Sequence, residues 1–206
     1  MKYNIRNMKR ILLFLAAAAC LASGCTRYQK FTVQGNLRDI KFPKADSVRM
    51  ESEQLEKPIF APVNDKDFVL QGKVKSPTIG KLYTVGTKRR NSRFMILEKG
   101  TITFKDGIPC GTPLNDSTAA FTERLKTLGD RIPNPEDREA RQRAFENEFI
   151  NFVARHKDDP CAIYAILLAQ NRMEPEVVLR LIRSTSTKIQ NDGDVHALKK
   201  SLTMGR

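Results

Sequence analysis

The stretch Phe94-Met95-Ile96-Leu97-Glu98-Lys99-Gly100-Thr101-Ile102-Thr103-Phe104, continued by Cys110-Gly111-Thr112-Pro113-Leu114-Asn115-Asp116, is where the chain passes from strand-like to helix-like patterning. Phe94 to Leu97 is a short apolar run, and Ile102 and Phe104 alternate with Thr101 and Thr103, as in a half-buried strand. Glu98-Lys99-Gly100 between them reads as a compact hairpin connection, with glycine supplying the positive φ that such turns require. Gly111 to Asp116 closes the β region, and Asn115 or Asp116 is placed to accept from the free amides of a first helical turn. The reading is an α+β chain: an antiparallel β-sandwich or meander over residues 31–114, then a helical segment over 115–206.

Upstream, Phe31, Val33, Gly35 and Leu37 alternate with Thr32, Gln34 and Asn36, which predicts a strand with one buried face. Val48 and Met50 predict a second, weaker strand after a turn at Phe42 to Asp46. Pro58 and Pro62 demote residues 51–66 to edge strand or loop. Asn64-Asp65-Lys66 turns the chain into another strand with Phe68, Leu70, Gly72 and Val74 on one face. Ser76 to Gly80 reads as a turn and Leu82 to Thr87 as a strand, ahead of a basic tip at Lys88, Arg89, Arg90 and Arg93. Short strands joined by tight turns are the pattern of an antiparallel β unit.

Downstream, Phe121, Leu125 and Leu128 fall on one helical stripe, with Gly129 placed to end it. Ile132-Pro133-Asn134-Pro135 opens a second helix whose apolar face is Phe145, Phe149, Phe152 and Val153. Asp158-Asp159-Pro160 is a capping residue with proline in the first turn and starts a helix through Leu168. Glu174-Pro175 starts another through Ile182. A last short helix is expected from Asp194 to Leu202, after a polar stretch from Ser184 to Gly193. The total is four or five helices.

At the amino terminus, Lys2, Arg6, Lys9 and Arg10 precede the 11-residue apolar run Ile11 to Leu21, followed by Ala22-Ser23-Gly24-Cys25. The run is well short of the roughly 20 residues that span a bilayer and has the order of an export signal. Ser23-Gly24-Cys25 resembles the bacterial lipobox, which implies a signal peptide over 1–24, lipid attachment at Cys25 and a short basic tether over 25–30. Leu21 lies one position further from the cysteine than is usual in that motif, and Cys20 belongs to the apolar run. Cleavage there removes four basic and no acidic residues, lowering the formal net charge from +13 to +9. Thr26 is not the inner-membrane retention aspartate, so the expected address is the periplasm-facing side of the outer membrane.

Charge is uneven: residues 26–114 carry 17 Lys and Arg against 9 Asp and Glu, and residues 115–206 carry 15 against 14. A basic balance often marks nucleic-acid binding, but an exported, tethered chain rarely meets nucleic acid, and the cluster at Lys88, Arg89, Arg90 and Arg93 has no interleaved aromatic platform. It is read first as a solvated hairpin tip and second as a patch for anionic lipid or an acidic partner.

After lipidation of Cys25 the remaining thiols are Cys110 and Cys161. They are either one disulfide or two separately buried thiols, and the second is expected, because Cys110 ends the β region while Cys161 starts a helix. The helix amino terminus lowers a thiol pKa, opposed here by Asp158 and Asp159. There is no C-x-x-C, and neither His156 nor His196 has a second histidine or cysteine at ligand spacing, so no metal or cofactor is expected. His156 extends the Phe145, Phe149, Phe152 stripe as a core-edge or capping histidine. Glu146 and Glu148 read as a solvated helix face. Phosphate-loop, dinucleotide and nucleophile-elbow fingerprints are missing, and the chain is not expected to be an enzyme.

The runs Asp65 to Val74, Met95 to Thr103 and Cys110 to Asp116 together resemble a domain of unknown function that precedes the thioredoxin-like domain in many thiol-disulfide interchange lipoproteins of the AhpC/TSA type in Gram-negative bacteria. Lys66 stands where that family usually has a turn glycine, and Cys110 where it has an ordinary small or apolar residue. The resemblance implies that residues 117–204 are the helical segment leading to a thioredoxin fold, and that the chain stops at Arg206, where the redox domain would begin. No redox residue carries over. The favoured expectation is a non-enzymatic binding or scaffold lipoprotein with a periplasmic protein partner. The alternative is a truncated relative or docking part of a thiol-disulfide oxidoreductase.

Overall fold

The computed structural model describes residues 28–42, 44–86, 92–131 and 138–204. Within them, eight strands precede six helices: β1 Gln29–Asn36, β2 Ser47–Glu51, β3 Ile59–Pro62, β4 Asp67–Val74, β5 Thr78–Val85, β6 Ser92–Leu97, β7 Gly100–Lys105 and β8 Ile108–Cys110, then α1 Pro113–Arg131, α2 Arg138–Arg155, α3 Pro160–Ala169, α4 Pro175–Arg183, α5 Thr187–Gln190 and α6 Gly193–Met204. The strands make two four-stranded sheets, ordered β4-β1-β7-β8 and β3-β2-β5-β6. All pairs are antiparallel except β1 with β7, where Phe31 faces Gly100 and Val33 faces Ile102 in parallel register. No helix among the described residues is long and apolar enough to cross a membrane.

The layers stack in the order first sheet, second sheet, helices. Phe31, Val33, Phe68, Leu70 and Ile102 of the first sheet meet Val48, Met50, Leu82, Met95 and Leu97 of the second in one core. Ile79 and Ile96, from the other face of the second sheet, join Phe121, Phe149, Phe152, Ile166 and Ile182 of the helices in another. β6 is therefore apolar on both sides, which is why Phe94 to Leu97 is a continuous run where β1 and β4 alternate. Close packing between the sheets needs Gly72, where an added Cβ would lie 2.5 Å from the Phe31 ring and 2.7 Å from Ile59.

Several boundaries differ from the sequence expectation. Glu98-Lys99-Gly100 is not a hairpin: β6 pairs with β5, β7 pairs with β1 and β8, and the three residues carry the chain from one sheet to the other. Gly100 does have positive φ, at 125°, but the turn leads across the sandwich instead of back. The parallel β1–β7 pair follows from that crossover, so the sheets are mostly, not wholly, antiparallel. The hairpin in this region is β7–β8, joined by Asp106 and Gly107 at φ 53° and 85°, a two-residue turn of the type Asp-Gly favours. Thr78, Ile79 and Gly80 belong to β5 and not to a turn.

β3 is the edge strand expected around Pro62. Gly129 does not stop α1, which continues to Arg131; the short helix α5 lies inside the stretch read as polar loop. Pro43, residues 132–137 and the amino-terminal 27 residues, including the signal, Cys20 and Cys25, lie outside the described residues.

Asp65 and Lys66 turn the chain into β4 at φ 50° and 80°, so Lys66 occupies a conformation suited to glycine. Lys66→Gly is expected to raise stability by about 0.5 kcal/mol, the left-handed penalty less the added chain entropy. Gly72→Ala is expected to lower it by about 1–3 kcal/mol through overpacking. Urea unfolding of both variants checks the pair.

Candidate functional site

The polar groups of the opening stretch converge where β6 meets α1. Glu98, 7% exposed, accepts on Oε1 from the Thr112 hydroxyl at 2.7 Å, the Leu114 amide at 2.8 Å and the Asn115 amide at 3.2 Å. The free amides of the first turn of α1 are thus capped by a strand-end carboxylate, which the positive end of a helix favours. Neither Asn115 nor Asp116 is the cap, because both lie inside the helix. Asn115 instead pairs with the backbone of Ile96, its Nδ2 donating to the carbonyl at 2.7 Å and its Oδ1 accepting the amide at 3.0 Å. Asp116 accepts the Gly111 amide at 2.8 Å.

One turn along, α1 presents Ser117 to His156, which follows the last turn of α2. Ser117 Oγ lies 3.0 Å from His156 Nε2, and His156 Nδ1 lies 2.8 Å from Asp159 Oδ2. Asp159 caps α3 as expected, its Oδ1 accepting the Cys161 amide at 2.8 Å. The imidazole is tilted against Phe152 at 4.5 Å, and Phe152 stacks on Phe121 at 4.1 Å, so the α1–α2 aromatic contact sets the ring's position. Of the two roles expected for His156, core-edge or capping, its packing on Phe152 fits the core edge, and each ring nitrogen has a side-chain partner.

Serine, histidine and aspartate in this order are the parts of a nucleophilic triad, but a hydrolase also needs amide donors aimed at a developing oxyanion. The Ser117 amide lies within the α1 ladder, the Leu114 and Asn115 amides go to Glu98, and the Cys161 and Ala162 amides go to Asp159. The last four of these amides are engaged in helix caps.

Cys161 is fully buried at the start of α3, with Sγ 3.6 Å from the Leu114 carbonyl. Its thiol is pushed well above the ordinary range, first by burial and then by the Asp159 charge, so the acidic neighbours and desolvation outweigh the helix terminus. Its ligand atom lies within 4.8 Å of those of His156 and Asp159. No second histidine or cysteine lies at ligand spacing from His156 in the sequence, but the turn after α2 brings residues three and five positions on back towards the ring. Cys110, at the end of β8, is half-buried, with Sγ 3.5 Å from Thr103 Oγ1. The two thiols are free.

Arg93 is half-buried with its guanidinium over the Phe42 ring at 5.3 Å, while Lys88, Arg89 and Arg90 lie outside the described residues. Glu146 and Glu148 are half-buried, not solvated: Glu148 pairs with Arg124 of α1 at 2.6 Å, and Glu146 pairs with Arg180 of α4. A cleft of about 300 Å³ between the β2–β3 loop and the start of α6 is lined by Glu51, Glu53, Lys81, Asp192 and Asp194 among others. Burial raises the Asp192 carboxyl above its usual range.

Comparison with protein families, with curated proteins and with solved structures finds no match to this chain.

Glu98→Ala, which leaves the Thr112, Leu114 and Asn115 donors without their acceptor, is expected to cost about 2–4 kcal/mol, and Glu98→Gln, which keeps one oxygen, less; thermal unfolding checks both. Maleimide labelling of the native chain with peptide mapping is expected to modify Cys110 and to spare Cys161 until denaturant is added.

Proposed function

We propose that this chain is an exported lipoprotein, anchored through Cys25 and facing the periplasm from the outer membrane, that works as a non-enzymatic binding or scaffold module for a protein partner. The observation that carries the non-enzymatic reading is the use made of the buried polar groups. Glu98, Thr112 and Asn115 tie β6 to α1, and Asp159 caps α3. The Leu114, Asn115, Cys161 and Ala162 amides near the Ser117–His156–Asp159 arrangement are engaged in those caps, which supports a structural role for it.

The anchor agrees with the way the sheets are laid out. β1 begins four residues after Cys25, so at roughly 3.6 Å per residue the first strand starts within about 14 Å of the lipid. Lys30, Lys73, Lys75 and Lys99 are exposed around that end, where Lys30 pairs with Lys73, and lysines near an anionic headgroup layer add to a lipid anchor. Gly86 and Ser92, which flank the basic tip, lie at the opposite end of the sheets. That tip suits an acidic partner better than the bilayer holding the chain.

The second reading, a docking part of a thiol-disulfide oxidoreductase system, is favoured by the partly exposed Cys110 thiol. Two experiments test these readings. Radiolabelled palmitate is expected to enter the wild-type chain and not Cys25→Ala; absence of label from both would remove the lipoprotein reading. Partner capture by crosslinking is expected to be equal in wild type and Cys110→Ser, whereas a mixed disulfide formed only with Cys110 present would support the oxidoreductase reading.

A further inference from the structure

We propose that His156, Asp159 and Cys161 form a binding site for one divalent transition-metal ion of the zinc class, with Ser117 holding the imidazole from outside. The three ligand atoms lie within 4.8 Å of one another. Donors around a tetrahedral zinc ion stand about 3.3–3.8 Å apart, given bonds of roughly 2.0–2.3 Å, so separations near the 4.8 Å limit must close by about 1 Å while Nδ1 and Asp159 Oδ2, at 2.8 Å, must open by about 0.5 Å. The turn between α2 and α3 can supply that movement, because His156 lies just beyond the end of one helix and Asp159 just before the start of the next.

Without an ion, the acceptor-only carboxylate of Asp159 takes a proton from Nδ1 at 2.8 Å, and Nε2 lies 3.0 Å from the Ser117 hydroxyl. An ion at Nδ1 takes the place of that proton, which moves to Nε2 and is donated to Ser117 Oγ. A ligating histidine characteristically donates its other N–H in this way. Asp159 can serve both purposes, since Oδ1 accepts the Cys161 amide while Oδ2 points to the ring. Sulfur, imidazole nitrogen and one carboxylate oxygen are a set that selects zinc-class ions over magnesium or calcium.

Charge balance suits the same occupant, since one thiolate and one carboxylate neutralise a dication. On binding, the Cys161 S–H bond breaks, its electron pair forms the metal–sulfur bond and the proton goes to solvent; nothing is oxidised or reduced. His156 and Asp159, with side chains 19% and 36% exposed, leave the fourth position open to water. The site does not depend on the lipid anchor.

The test is a cobalt(II) titration of the full-length chain, purified with reductant and freed of metal by chelation. The expected result is a thiolate-to-cobalt charge-transfer band saturating at one equivalent and displaced by zinc. Cys161→Ser should abolish it, His156→Ala and Asp159→Asn should each weaken binding at least about tenfold, Ser117→Ala should weaken it about tenfold, and Cys110→Ser should leave it unchanged. Absence of a saturable band in the wild type, or the same band in Cys161→Ser, overturns the proposal. Should Cys161→Ser fail to fold by circular dichroism, undiminished cobalt affinity in both His156→Ala and Asp159→Asn overturns it equally.

Discussion

A single buried carboxylate fixes how the three layers sit on one another. Glu98 follows β6, a strand apolar on both faces, and it holds the amides that open α1. A charge is costly to bury unless its lone pairs are filled, and here the filling groups are those a helix start cannot satisfy internally. Each side thus removes the other's desolvation cost, and the contact has one geometry. With α1 fixed there, Phe121 lies against Phe149 at 5.1 Å and Phe152 at 4.1 Å; through that contact α2 is set, and with it His156. The polar cluster at the start of α3 also meets the Glu98-capped turn directly, through Cys161 Sγ on the Leu114 carbonyl and Ser117 on His156, so its geometry is inherited from that cap.

Local patterning revealed most of the elements. Alternation marked β1 and β4, and Asp159-Pro160 and Glu174-Pro175 marked the starts of α3 and α4, because those signals are contained in a few neighbouring residues. Sheet membership was not legible. Period two says that a segment is a strand but not which strand it joins, and Glu98-Lys99-Gly100 has the composition of a hairpin while making a crossover. What decides between them is the acceptor role of Glu98, whose partners lie 14 to 17 residues later. Asp106-Gly107 was a readable turn signal, but the strand after it has only three residues and too little alternation to be noticed. Gly129 failed as a stop because helix interiors tolerate glycine at modest cost.

The candidate site was legible residue by residue and illegible as an arrangement. His156 was placed correctly at the edge of an aromatic stripe, Asp159 as a cap and Cys161 at a helix start. Their convergence needs the chain reversal between α2 and α3, and the contribution of Ser117 comes from a helix 39 positions earlier. The opposed influences on Cys161 were identified from the sequence, but their balance depends on burial, which only packing sets.

The place of β1 has a consequence for the order in which the molecule assembles. β1 is an interior strand of its sheet, clasped between β4 and β7, and its partners begin at Asp67 and Gly100. A chain emerging amino terminus first therefore carries Phe31 and Val33 unpaired until β4 has followed, and keeps the other edge of β1 open until the parallel partner β7 arrives last. Closing so long a loop precedes the full reward from pairing, which makes this sheet the slow step of folding. Until then an apolar strand with an open edge is available to other chains, so the nascent molecule, more than the finished one, is the form that needs protection.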